Sequence, residues 1–287
     1  MYMKIYDCFP FHNEFDLLEI RLRELYDVVD HFVLVESNTT FTSRDKPFYY
    51  QENADRYKPW ADKIIYIQVE DMPRNPDAWV NDIYQRNQIF RGIEQANPND
   101  LIMISDCDEI VRADAVRYMI NTPETVYALR MPLYNFKFNN MKLDPDRYGI
   151  WSMAGRRAVF DTLLPDSFRQ MRFQFFDHPY QYRRDGIAVV EHAGWHFGYM
   201  GDRDWLVNKA QSFAHQEVNY PEFIAQIDPE ASVREGKSWA RTANDSYQPV
   251  QLDSYFPRAM QDPKFSKWVI ESADTTAVDL LPPYCYN

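Results

Sequence analysis

A buried strand that runs into a cluster of carboxylates leaves a chain few ways to fold, and this sequence contains one. Leu101-Ile102-Met103-Ile104 is followed, after Ser105, by Asp106-Cys107-Asp108-Glu109. A short apolar run bounded by polar residues is the pattern of a strand covered on both faces. One uncompensated carboxylate in such surroundings costs several kcal/mol, so the acids require a cation or a full set of hydrogen-bond donors. Open α/β sheets bind ligands at the carboxyl ends of their strands, which is where this run falls. Asp-x-Asp at a strand end lets Asp106 and Asp108 face one divalent ion while Cys107 turns to the core. The competing use of such residues is as helix caps, with Asp108 or Asp114 opening a helix over 113–120.

The N-terminal half supplies a sheet for this strand to join. Residues 3–6, 31–35 and 64–69 read as strands. Between them, Phe15, Leu18, Leu22 and Leu25 share one face of a helix, and 77–96 reads as a long helix. Strands alternating with helices predict an α/β fold with a doubly wound, mostly parallel sheet. Beyond Thr125 the runs at 126–131, 150–160 and 187–190 are strand-like, with Pro and Gly punctuation. A helix returns over 202–217, where Trp205, Lys209, Ser212 and Phe213 share a face. The expectation is one domain of two lobes, 1–124 and 125–287.

Charge and cysteine usage narrow the partners. The chain carries 31 basic and 43 acidic residues, a net charge of −12, with no Lys/Arg block, which argues against nucleic acid and anionic membranes. Cys8, Cys107 and Cys285 are too far apart for a zinc motif and too few for a disulfide framework, so the expected compartment is the cytoplasm. No run approaches the ~20 apolar residues of a membrane span. Aromatics at 16% suit stacking on sugar rings as well as core packing.

Several polar residues are placed to meet a ligand. Asp7, Glu36 and Asp106 follow the first, second and fourth strands, an arrangement that can hold nucleoside donors on one side and a metal on the other. Arg86, with Asn87 beside it in the helix before the acidic strand, can reach either a phosphate or an acidic partner, and Lys46 with Arg44, in a loop, is another candidate diphosphate contact. Neither Gly-x-Gly-x-x-Gly nor a P-loop is present, so a metal would have to carry the phosphate charge. In Glu191-His192-Ala193-Gly194-Trp195-His196-Phe197-Gly198, His196 is a candidate third ligand, and a His among carboxylates favours Mn²⁺ over Ca²⁺. Ordinary half-buried strand histidines are the simpler account of His192 and His196.

Taken together, Tyr6-Asp7-Cys8-Phe9-Pro10-Phe11 through Glu14 to Leu22, Val35-Glu36-Ser37-Asn38-Thr39-Thr40-Phe41 with Lys46-Pro47, Gln85-Arg86, Asp106-Cys107-Asp108-Glu109 and Gly194-Trp195-His196 resemble glycosyltransferase family 17. The family is typified by enzymes that add the bisecting N-acetylglucosamine to N-glycans. The resemblance implies a GT-A fold and an inverting transfer from UDP-N-acetylglucosamine to a glycan, with Mn²⁺ or Mg²⁺. It makes 1–124 the nucleotide-sugar lobe and 125–287 the acceptor lobe. It also implies that Asp106 and Asp108 hold metal and diphosphate, that Asp7 and Glu36 line the nucleoside pocket, and that His196 approaches metal or phosphate. Two departures stand out. Animal members carry a membrane anchor and stem not seen here, and Ser43 stands where glycine is expected. Such a transfer needs a carboxylate base, for which Glu191, Asp204 and Glu217 are candidates, with Glu109 near the sugar. The rival readings are a metal-dependent sugar nucleotidyltransferase and a carbohydrate-binding protein without catalysis.

Overall fold

Burial explains why the early segments form a sheet. In Ile5–Pro10 (β1), His31–Ser37 (β2) and Leu101–Ile104 (β4) nearly every side chain is buried, whereas Ile64–Val69 (β3) is only partly so. Strands hidden on both faces need helices on both sides. The computed structural model describes residues 2–143, 147–175, 181, 183–238 and 245–271; Cys285 lies outside them. Strand order β3-β2-β1-β4 is parallel throughout, with Tyr6 opposite both His31 and Ile102.

Alternation along these strands sorts the core into two layers. Ile5, Phe9, Phe32, Leu34, Leu101 and Met103 pack with Leu18, Leu22 and Leu25 of α1 (Phe15–Leu25). Tyr6, Cys8, Val33, Val35, Ile102 and Ile104 pack on the other side with Ile89 and Ile93. Between β2 and β3 the chain forms a short helix, α2 (Tyr49–Glu52), and a 3-10 segment over Ala54–Lys63. The long helix expected over 77–96 is two helices, α3 (Ala78–Asn87) and α4 (Ile89–Ile93), broken at Gln88. The break lets Gly92 descend onto the sheet, where a β-carbon would stand 2.3 Å from Val33 Cγ1.

The same sheet continues antiparallel into the second half. After β5 (Glu109–Val111) and α5 (Ala113–Ile120) come β6 (Val126–Asn135), β7 (Asn140–Lys142) and β8 (Tyr148–Arg156). β8 joins β4 to β6 by antiparallel ladders on both sides. The helix α6 (Pro165–Gln170) follows, then β9 (Arg183–Arg184), β10 (Ile187–Val190) and β11 (Gly194–Gly198). β11 pairs parallel with β6 and antiparallel with β5, so that His196 stands opposite Glu109. The helix expected over 202–217 is shorter, α7 (Arg203–Ser212), capped by the Asp202 side chain on the Trp205 amide. Arg112, not Asp108 or Asp114, occupies the N-cap of α5. Among the described residues no helix is long and apolar enough to cross a membrane.

Candidate active site

The shape of the acidic loop is set by a residue the sequence reading passed over. Arg21, on α1, is fully buried and forms a two-pronged pair with Asp7, Nη2 to Oδ1 at 2.5 Å and Nε to Oδ2 at 2.7 Å. Its Nη1 donates to the carbonyls of Asp106, Cys107 and Glu109 at 2.8, 3.3 and 3.1 Å, and Nη2 reaches Ser105 Oγ. One guanidinium therefore gathers the backbone of the Asp-Cys-Asp-Glu turn from beneath, using the planar set of donors that only arginine presents. Asp7 is consequently not a pocket residue. β1 runs on through Cys8, Phe9 and Pro10, which places Asp7 in mid-strand with no exposed surface.

Glu36 is likewise interior to β2. Its carboxylate accepts from Lys46 Nζ at 3.4 Å, the Tyr50 amide at 3.1 Å and the Tyr66 hydroxyl at 2.8 Å, and burial raises its pKa. It anchors Lys46 and the loop after β2 without reaching the ligand edge. In that loop Ser43 has φ of 64°, the left-handed region where glycine is free of strain, which accounts for glycine being the expected residue.

A cavity of about 230 Å³ opens where β1, β2 and β4 end, walled by Pro10, Thr39, Asp106 and Asp108 and by five cations: Lys46, Arg86, Arg169, Arg172 and Lys209. These cations are not equivalent. Arg86 is ion-paired with Asp106 at 2.5 Å, Asp82 at 2.9 Å and Asp166 at 3.3 Å. Arg169 bridges Asp106 at 2.7 Å and Glu109 at 2.6 Å. Arg172 makes no ion pair among the described residues; it donates to the Trp151 carbonyl at 3.4 Å and lies over the Phe173 ring at 4.7 Å. Burial and the neighbouring Arg169 push its pKa down to about 10, the mark of a cation short of negative charge. Lys209 has Asp108 at 3.5 Å and lies over the Trp205 ring at 5.0 Å.

The two aspartates of the motif divide their work. Both oxygens of Asp106 are taken by guanidinium groups, and although burial alone would raise its pKa, Arg169 and Arg86 hold it far below the carboxylate range. Asp106 is thus placed as a clamp on the two arginines. Asp108 lies 3.8 Å from His196 Nε2, and its carbonyl accepts from the Phe197 amide, which ties β11 to the loop. The ring of His196 is wedged edge-on against Trp151. Asp108 and His196 are a donor pair that Mn²⁺ accepts, and an ion that keeps waters and substrate phosphates in its shell needs no more than one or two such side chains. Among the described residues no third His, Cys, Asp or Glu joins them.

The other expected residues scatter. Glu109 is buried, with Oε2 accepting from the Asp106 amide and the Ser152 hydroxyl and Oε1 from Arg169, so it braces the loop. Asn87 accepts from the Asp166 amide at 2.9 Å and so fixes the start of α6, the helix that delivers Arg169. Arg44 ties its loop to Ser212 of α7. Glu191 pairs with Arg130, Glu217 with His215, and Asp204 is exposed; none of the three lines the cavity. His192 is buried against Tyr148, and burial with Arg112 and Arg130 lowers its pKa to about 4. Arg169, Arg172 and Lys209 were missed as site residues because a helical cation gives no local signal of what it faces.

Three curated relatives share the enzyme name beta-1,4-mannosyl-glycoprotein 4-beta-N-acetylglucosaminyltransferase. The rat and human proteins are 27% identical over 225 residues and the mouse protein 27% over 219. Each alignment covers 67% of this chain but only 39–40% of the relative, so the chain spans about two fifths of their length. Among solved structures, the inositol-1-phosphate CTP transferase from T. maritima is 11% identical with a TM-score of 0.40, covering 66% of this chain and 86% of its own. A 4-diphosphocytidyl-2C-methyl-D-erythritol synthase gives 11% and 0.37, covering 67% and 89%. The family model described as glycosyltransferase family 17 matches residues 1–148, the stretch that carries the parallel sheet, the Arg21-supported loop and the Asp106/Asp108 edge, and the chain belongs to that family.

Proposed function

We propose that the chain transfers a sugar from a UDP-sugar, N-acetylglucosamine by family expectation, to a glycan hydroxyl by a single inverting displacement on a GT-A-type sheet. One observation carries this reading: the cavity at the strand ends presents Arg172 with no ion pair among the described residues and Lys209 with Asp108 no nearer than 3.5 Å, whereas Arg86 and Arg169 each hold two carboxylates within 2.9 Å. A nucleoside diphosphate supplies the missing negative charge. The curated relatives, named for N-acetylglucosaminyl transfer, support the same class of donor.

In this reading the chain's own residues do three things. Arg172, Lys209 and Lys46 bind the diphosphate and stabilise the charge that grows on it as the bond to the sugar breaks. Asp106, locked between Arg86 and Arg169, keeps those two guanidiniums at the cavity wall and fixes the loop that presents Asp108. Trp151 and the pairing of β11 with β5 hold His196 beside Asp108. A divalent ion, Mn²⁺ or Mg²⁺, held by Asp108 and His196 would add Lewis-acid stabilisation of the leaving group.

The test is a matrix of UDP-, GDP- and TDP-sugars with and without Mn²⁺, read by thermal shift and by release of nucleoside diphosphate. Ligand at ~100 Kd stabilises a native state by about 2.7 kcal/mol, well within detection. UDP-sugar with Mn²⁺ is expected to give the largest shift and slow UDP release. Preferential binding of a nucleoside triphosphate, with coupling to a sugar phosphate, would instead make the protein a nucleotidyltransferase. Metal-free glycan binding with no nucleotide effect would make it a binding protein.

A further inference from the structure

Beside the strand-end cavity lies a larger one of about 960 Å³, with Trp205 and Trp268 part-exposed on its walls and the buried Phe136 and Phe138 behind them. Glu14 is the residue common to both linings. It stands immediately before α1, where the chain turns after β1, and its Oε2 accepts from the amides of His12 and Asn13, both at 3.1 Å. Two backbone donors fix the carboxylate, while Oε1 takes no hydrogen bond among the described residues. The partition between the cavities is built around it, with Trp205 Nε1 donating to Asn13 Oδ1 at 2.8 Å and Lys209 lying over the Trp205 ring. Of the other carboxylates on the smaller cavity, Asp82 and Asp106 are paired with arginines, and Asp108 stands between His196 and Lys209, 3.8 and 3.5 Å away, where the divalent ion of the proposed function would sit.

We propose that Glu14 is the general base of the transfer and that the larger, aromatic-walled cavity receives the acceptor glycan. This rests on the glycosyltransferase reading given above. The part-exposed rings of Trp205 and Trp268 suit the apolar faces of pyranose rings, and the junction places a fixed, otherwise unbonded carboxylate oxygen between acceptor and donor. In the step, the acceptor hydroxyl gives its proton to Glu14 Oε1 as its oxygen bonds to the anomeric carbon. The bond from that carbon to the diphosphate oxygen breaks, and the electron pair leaves with UDP.

Glu14→Gln separates this assignment from the parent reading. Expected are an unchanged thermal shift with UDP and Mn²⁺, a fall of 100-fold or more in UDP release from UDP-N-acetylglucosamine with water as acceptor, and recovery by sodium azide, a nucleophile that needs no deprotonation. Glu14→Asp, which keeps a carboxylate, is expected to retain the acidic limb of the pH–rate profile that Glu14→Gln loses, and it stands in if the amide variant does not fold. Hydrolysis by Glu14→Gln within threefold of wild type overturns the assignment, as does a loss that azide leaves unrepaired. If wild-type protein neither binds UDP nor cleaves any UDP-sugar, the parent reading fails and this one with it.

Discussion

Replacing Arg21 by methionine tests the central structural claim, that the acidic loop is held by a buried ion pair. Methionine keeps an apolar stem and removes the guanidinium, shortening the side chain. The loss leaves both Asp7 oxygens in a strand with no exposed surface, and it strips the Asp106, Cys107 and Glu109 carbonyls of a shared donor. Breaking a buried pair by removing one partner costs roughly 3–5 kcal/mol, and each buried acceptor left unsatisfied adds about 1–3 kcal/mol before relaxation and water entry reduce the sum. A loss of about 4–6 kcal/mol is therefore expected, a large part of the ~5–15 kcal/mol that holds a typical domain together. Urea unfolding at pH 7 measures it directly. The paired change Asp7→Leu with Arg21→Met removes the stranded charge and should recover part of the loss, so the double variant should be more stable than the sum of the single effects implies. A single variant that loses less than about 1 kcal/mol with the same denaturant slope would refute the account, because no fully buried ion pair of this geometry can be removed so lightly.

Two further outcomes follow from the same site. Asp106→Asn weakens the clamp on Arg86 and Arg169, each of which keeps other carboxylate partners, so a loss of about 1–3 kcal/mol is expected in urea unfolding; Asp108→Asn, whose contacts are at 3.5 and 3.8 Å, should cost less than about 1 kcal/mol yet lower UDP release by 100-fold or more. Equal stability losses for the two would contradict the division of labour. His12 is held neutral, with burial and nearby Lys46 lowering its pKa from 6.5 to about 3. The unfolded chain then binds the extra proton between those values, so stability is fully present above pH 6.5 and declines as pH falls toward 3, by at most about 1.4 kcal/mol per pH unit from this group. His12→Gln should flatten that limb in urea midpoints taken from pH 7 to pH 4, and an unchanged slope would show that other groups carry it.

How far this site can be read from the amino acids depends on the distance over which each residue acts. The apolar runs that became β2, β3 and β4 and the Leu18/Leu22/Leu25 stripe were legible because each is a local pattern imposed by burial. The end of β1 was not, since Cys8-Phe9-Pro10 continues the strand past its first polar residue, and an aspartate inside a strand looks the same as one after it. Yet Asp7 and Arg21 carried a signal in common. Arg21 falls at the fourth position of the stripe Leu18, Leu22, Leu25, where a charge faces the core, and Asp7 interrupts Ile5-Tyr6-Cys8-Phe9 in the strand beneath it. A cation in an apolar helix face and an anion in an apolar strand are each costly alone, and that shared cost predicts their pairing. No such argument reaches Arg172 or Lys209. Both are part-buried without any sign of it in their sequence neighbours, and only the return of α6, the turn after it and α7 to the strand edge, 63 positions from Asp106 in the case of Arg169, gives them something to face. The acidic half of the site was therefore legible because carboxylates beside a buried strand violate a local rule, whereas the basic half obeys every local rule and acquires its meaning from topology alone.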